Sequence, residues 1–195
     1  MTDATPRAWQ RMLSGRRLNL LDPSPLDVEV EDIALGLSRV ARWNGQTTGA
    51  YPFTVAQHSL VVLALVEAIK PLPARLMRLA ALLHDASEYV TSDLITPFKA
   101  AVGPGYKEVE RRIEGAVHVR FGLPPTLPEE WRRQIKQADK DAAFLEAVQL
   151  AGFSVEEARK VLGYRRKPQA MTIAATDPET ARLQFLAAFQ RLVQA

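Results

Sequence analysis

Cysteine is absent from the 195 residues, and histidine occurs only three times. The first absence excludes a thiol nucleophile, a thiolate zinc site and any disulfide framework, so a metal could be held only by oxygen and imidazole. Long apolar runs are missing as well. The longest, Val61 to Ile69, is interrupted by Glu67 and is about half the ~20 residues that a membrane span requires. The opening MTDATPRAWQRM lacks the apolar segment of a secretory signal. The expectation is a cytoplasmic protein with no membrane partner. An excess of one charge sign is also lacking: 25 basic residues face 22 acidic ones, a net charge of +3. Nucleic acid is therefore not an expected partner. The one dense basic run, Arg165-Arg166-Lys167 before Pro168, reads as a solvated turn rather than a patch that tracks phosphates.

What is present is an ordinary soluble composition, 47% hydrophobic and 24% charged, in a chain long enough to bury a core without staples. Prolines and glycines punctuate segments of helical periodicity. The expected architecture is an all-α helical bundle forming one domain over 1–195, with a core at about 30–153, an N-terminal extension 1–29 and a C-terminal helical extension 154–195. Helices are expected at about 30–42, from a Thr54 N-cap to Ile69, at 73–90, from Thr96 to Ala101, and at 106–121, 128–151, 154–162 and 177–193. The prolines of DPSPLD (22–27) argue against a regular element, NGQTTGAYPF (44–53) reads as a loop, and AMTIAA (170–175) fits a short strand or extended chain.

The informative question is which helix faces carry the histidines. From His58, the positions three, four, seven, eight and eleven residues on are Val61, Val62, Leu65, Val66 and Ile69, all apolar. Counting back from His84 gives Ala81, Ala80, Met77 and Leu76, and Asp85 follows directly. Asp139 has Ile135 one turn before it and Ala142, Ala143 and Ala147 on the turns after. Two imidazoles and two carboxylates are thus carried on apolar faces of three helices, where an unpaired carboxylate costs several kcal/mol. A divalent cation satisfies all four, offsetting the carboxylates and accepting neutral imidazole nitrogen. The plainer reading of either histidine alone is a core residue hydrogen-bonded to a carbonyl. His118 has nothing converging on it and reads as structural. Trp9 and Trp131 read as core or interface residues.

His58, the pair His84-Asp85 and the distant Asp139 resemble the H…HD…D signature of the HD-domain phosphohydrolases. The tract HDASEYVTSDLITPFK, His84 to Lys99, is similar to that of the YfbR-type bacterial 5′-deoxynucleotidases, as are Arg42-Trp43 and the QHS around His58. The resemblance runs from about Ile33 to Leu150 and implies an HD-domain bundle holding one divalent metal ion on His58, His84, Asp85 and Asp139. Two nitrogens and two carboxylates suit cobalt, manganese, iron, nickel or zinc better than calcium or magnesium.

Glu88, four residues after His84 and three after Asp85, would project over the same helical face, where a general acid or base belongs; the resemblance assigns it proton transfer at the phosphate ester. Asp93 matches a further catalytic acid of the subgroup, but equally suits the cap of the next short helix. The resemblance makes Arg42 and Trp43 substrate-binding, the tryptophan excluding a 2′-hydroxyl; the competing reading is a core anchor beside a surface arginine. Lys99 could reach a phosphate or simply be solvated, and Tyr51 and Phe53 could line a base pocket or seal the core. The leading expectation is release of phosphate from deoxynucleoside monophosphates, the substrate being a small nucleotide. Removal of triphosphate from deoxynucleoside triphosphates, with Lys99, Lys107 or Arg111 supplying charge, is the nearest alternative, and a non-catalytic nucleotide-binding module is the third. Family members commonly assemble, so a homo-oligomer, dimer or larger, is also expected.

Overall fold

The computed structural model describes residues 7–167 and 169–194; the first six residues, Pro168 and Ala195 lie outside them. The chain opens with a small antiparallel hairpin, β1 (Trp9–Arg11) against β2 (Arg17–Asn19). Its alternation is too short to stand out from the sequence, and sequence reasoning missed it. Leu18 is buried beneath it, and Ser14 ties its turn to Asp32 through backbone N–H and hydroxyl donors at 3.1 and 2.5 Å. The proline-rich segment that argued against regular structure holds a 3-10 turn, Pro25–Asp27, because Ser24 accepts from the Leu26 N–H and Pro25 already has a helical φ.

Nine α-helices follow among the described residues: α1 (Val30–Leu37), α2 (Val55–Glu67), α3 (Arg75–Leu82), α4 (Glu88–Thr91), α5 (Thr96–Val102), α6 (Pro104–Arg120), α7 (Glu129–Gln149), α8 (Val155–Leu162) and α9 (Pro178–Gln194). The all-α expectation holds. The Thr54 cap is a complete capping box: its hydroxyl accepts from the Gln57 N–H while the Gln57 side chain accepts from the Thr54 N–H. The expected helix at 30–42 ends at Leu37, and Arg42–Gly45 forms a separate 3-10 turn. The segment 170–175 is extended chain and pairs with no strand among the described residues; Gln57 and Gln149 hold it by bonds to the carbonyls of Ala174 and Met171.

α2 is the central element, flanked by α3, α7 and α9. Its buried Val62, Leu65 and Val66 meet Ile33 and Leu37 of α1, Leu79 and Leu82 of α3, and Phe185 and Leu192 of α9 in one continuous core. The C-terminal helix therefore fills the core rather than lying beside it; burying Phe185 alone is worth about 1.5–3 kcal/mol. Gly36 lets α1 approach α4, since a Cβ there would sit 2.7 Å from the Tyr89 Cβ.

The largest departure from expectation lies at 73–90. No single helix covers it: α3 stops at Leu82, and residues 83–87 turn before α4 begins at Glu88. The His84 ring supplies a physical reason, because its Nδ1 donates to the Ala81 carbonyl at 2.9 Å, a group left without a partner at the helix end. Successive bonds from the Ala86 N–H to the Leu83 carbonyl and from the Glu88 N–H to the Asp85 carbonyl then carry the chain round.

Candidate metal centre and active site

Four sequence-predicted residues meet where α2, the turn after α3, and α7 converge. His58 comes from the first turn of α2, His84 and Asp85 from the 83–87 turn, and Asp139 from the middle of α7. The His58 Nε2 lies 3.2 Å from the His84 Nε2, 3.4 Å from an Asp85 oxygen and 3.3 Å from an Asp139 oxygen. The His84 Nε2 is 3.2 Å from the same Asp85 oxygen. His58, His84 and Asp139 can each offer a ligand atom within 4.8 Å of the other two.

The tautomers decide what this cluster fits. The His84 Nδ1 is committed to the Ala81 carbonyl and the His58 Nδ1 to a Glu146 oxygen at 2.5 Å, so in the neutral rings both facing Nε2 atoms carry lone pairs. With both rings neutral, two imidazole nitrogens and two carboxylate oxygens, all acceptors, point at one another; without an ion, a proton on the His58 Nε2 is the donor that Asp139 meets at 3.3 Å. Such a set requires a cation, and two neutral nitrogens with two carboxylates suit a divalent ion. The titration behaviour has the same cause. Burial and the Arg42 charge oppose protonation of His58, but the Glu146 charge and hydrogen bonds to Asp139 and Glu146 carry its pKa up to about 10. Asp85 and Asp139 are held below the usual carboxylate range, against burial, by the charge of His84 and the hydrogen bond to His58 respectively.

Glu146 is the residue that sequence reasoning missed. It is fully buried on α7, two turns beyond Asp139 on the same face. One oxygen accepts from His58; the other accepts from the Trp43 indole N–H at 2.9 Å and the Arg42 Nε at 3.3 Å. Burial would raise its pKa, yet the charges of His58 and Arg42 bring it to about 2. The signal was available: position 146 is a charged residue interrupting the Ala142, Ala143, Ala147 stripe at a spacing of seven from Asp139.

Glu88 reaches the site by a route other than the expected continuous face: it is the first residue of α4, after the turn. It is only 3% exposed, one oxygen lies 3.4 Å from the Lys99 amine, and the other has no partner among the described residues. Burial, with the charges of Asp85 and Asp93, pushes its pKa up to about 9, so the acid is largely protonated at neutral pH. Lys99 is shared with Glu110 at 3.1 Å. Asp93 does not cap α5, whose cap position is Ile95; it accepts from Arg42 at 3.0 Å. Arg42 is thereby divided between Asp93 and Glu146. Trp43 follows with φ 55° and ψ 29°, and Asn44 with φ 51° and ψ 33°, left-handed conformations that cost non-glycine residues about 1–3 kcal/mol each. The Trp43 ring packs on Phe153.

The remaining candidates separate. Phe53 seals the core beside Leu145, Leu150 and Ile173, whereas Tyr51 is 47% exposed. His118 is buried on α6, with Nδ1 3.4 Å from the Pro125 carbonyl and Nε2 without a hydrogen-bond partner among the described residues, the Glu114 carboxylate lying 3.9 Å away. Trp131 packs at the edge of the core, and Trp9 is half-buried with the guanidiniums of Arg7 and Arg17 over its ring. Arg165, Arg166 and Lys167 are exposed, Pro168 lying outside the described residues. No described helix is long and apolar enough to cross a membrane.

Comparison with known proteins bears on this arrangement. A model of the family described as 5′-deoxynucleotidase YfbR-like matches residues 33–153. An uncharacterized protein of Rhodobacter capsulatus is 55% identical over 186 residues, 93% of each chain. The uncharacterized YfdR of Escherichia coli K12 is 33% identical over 101 residues, 52% of this chain and 51% of its own. Among solved structures, the cyanophage S-2L HD phosphohydrolase DatZ, bound to dA and one catalytic Zn2+ ion, matches with a TM-score of 0.54 and 26% identity, covering 86% of this chain and 97% of that one.

Proposed function

Because the chain belongs to the YfbR-like 5′-deoxynucleotidase family and is an HD-type hydrolase of phosphoester bonds, we propose that it releases inorganic phosphate from deoxynucleoside 5′-monophosphates. The observation that carries the reading is the convergence of the His58, His84, Asp85 and Asp139 ligand atoms with the buried Glu88 carboxyl group beside them. His58, His84, Asp85 and Asp139 would hold one divalent ion, of the cobalt, manganese, iron, nickel or zinc class. When bound, that ion lowers the pKa of a water and polarises a phosphoryl oxygen.

The chain's own residues supply the rest. Water attacks phosphorus, the P–O5′ bond breaks, and the Glu88 proton goes to the departing O5′; one proton of the attacking water then returns to Glu88, giving a nucleoside, phosphate and the acid restored. Lys99 holds one Glu88 oxygen and leaves the other free to present that proton. Arg42, oriented by Asp93 and Glu146, contributes positive charge for the phosphate, and Trp43 contributes a fixed wall for the sugar. Two of the three cations that removal of triphosphate would call on are already engaged, Lys99 with Glu88 and Glu110 and Arg111 with Glu108, which favours the monophosphate reading. In the same reading 154–195 belongs to the one domain, and the protein is a cytoplasmic homo-oligomer, which light scattering on the purified chain tests.

The decisive experiment incubates the purified chain with cobalt or manganese and a panel of deoxy- and ribonucleoside monophosphates. Phosphate released from the deoxy series is the expected result. Release no greater than from a His84→Ala control overturns the proposal, and tripolyphosphate from deoxynucleoside triphosphates would replace it with the alternative reading.

A further inference from the structure

We infer that Glu146 is a positioning residue that joins the metal cluster to the Arg42-Trp43 turn, one carboxylate orienting the metal-facing edge of His58 and the indole of Trp43 together. The inference rests on the metal-centre reading above and adds to it a residue and a coupling.

Both oxygens of Glu146 are committed, and to different parts of the site. The Oε1 side takes the His58 Nδ1–H and so leaves the opposite ring nitrogen as a lone pair aimed at the cluster. The Oε2 side takes the Trp43 and Arg42 donors, which arrive from a segment over a hundred residues away in sequence. The Trp43 backbone is left-handed, a conformation that persists only where surrounding contacts hold it. Those contacts are the indole bond to Glu146, the Gln46 N–H donating to the Trp43 carbonyl at 2.9 Å, and the ring's packing on Phe153. Glu146 is therefore the one carboxylate, among the described residues, that touches both His58 and Trp43. A shift of the His58 ring on metal coordination is passed through this carboxylate to the indole, and a ligand seated against the indole then changes metal affinity by the same factor by which the metal changes the ligand's, since such coupling is reciprocal.

Glutamine is the discriminating substitution. It has nearly the same shape, but only one acceptor oxygen; its amide NH2 must face donors either at His58 or at Trp43 and Arg42. The test uses the full-length Trp9→Phe/Trp131→Phe chain, in which Trp43 is the only remaining tryptophan, titrated with Zn2+ and followed by tryptophan emission and by calorimetry. We expect zinc to shift the Trp43 emission. With Glu146→Gln added, the shift should be lost and zinc should bind about 10–100-fold more weakly. Glu146→Asp, which keeps the charge on a shorter stem, should recover part of both. If Glu146→Gln does not fold, Trp43→Phe in the otherwise natural chain removes the indole donor while leaving the carboxylate in place, and should weaken zinc by about fivefold. An unchanged emission response and zinc affinity in Glu146→Gln, or unchanged affinity in Trp43→Phe, overturns the inference. Absence of zinc binding by the parent overturns it together with the metal-centre reading. A zinc response lost in Glu146→Gln supports it whether or not deoxynucleoside monophosphates are hydrolysed.

Discussion

His58 and His118 are both sealed from solvent, at 0% and 1% exposure, and both sit on helices of the same bundle, yet they do opposite things electrostatically. Around His58, carboxylates approach both ring nitrogens, and the pKa rises against the pull of burial and Arg42. Around His118 there is a distant backbone carbonyl on one side and, on the other, no hydrogen-bond partner among the described residues, the Glu114 carboxylate of the same helix standing off at 3.9 Å, and burial lowers the pKa. Burial of a histidine is therefore not the mark of a site. The mark is convergence of charge from separate elements onto the buried ring, which for His58 involves the 83–87 turn and two positions on α7.

The largest effect that would sharpen this comparison is at the cluster itself. His58→Ala or His84→Ala should leave no bound metal by elemental analysis and reduce phosphate release to background. Bound metal at full stoichiometry in either variant would break the assignment. Glu88→Gln should lower the rate of phosphate release by about 10²–10⁴-fold while metal content stays at the parent level, because the residue supplies a proton and holds no ion. Phe185→Ala, distant from the chemistry, should cost about 3–5 kcal/mol in denaturant unfolding while the folded fraction keeps its metal.

His118→Gln completes the contrast. It should retain metal and activity and cost about 1 kcal/mol. Its pH signature has a definite sign. The folded ring stays neutral below the ordinary histidine pKa of about 6.5, whereas the unfolded chain takes up a proton there, so the parent loses stability as pH falls below that value. Above about pH 7 the contribution is constant. The stability difference between parent and His118→Gln, measured by urea unfolding from pH 5 to pH 8, should rise with pH and then level. A difference that is flat across the range, or a variant lacking metal, would erase the distinction between the two histidines.

Much of the bundle was legible because helical periodicity and caps are local. Thr54 announces α2, and the stripes behind His58 and His84 identify their buried faces. The break at Leu82 was not legible: the apolar spacing continues through His84, and only the bond of its ring to the Ala81 carbonyl shows why the helix stops. The hairpin at 9–19 was hidden by its brevity. α9 lay outside the family resemblance but was readable as a helix at 177–193, and the place of its Ala181, Phe185, Phe189 and Leu192 face in the core came from packing against α1, α2 and α3. In the site, the residues with a motif were readable; Glu146 has none, and its charge on the alanine stripe of α7 marked a group in need of partners without showing that these are His58, Trp43 and Arg42.

By itself the sequence determined which chemistries were open: no thiol, few imidazoles, and acidic residues set on apolar stripes where they demanded a counter-charge. It could do so because the cost of burying a charge follows from residue type and helical face alone. Only the tertiary structure decided which atoms meet. The pairing of His58 with Glu146, the division of Arg42 between two carboxylates and the free oxygen of Glu88 all depend on residues far apart in the chain. Their distances are set by how α2, α4 and α7 pack, and local sequence carries no measure of that.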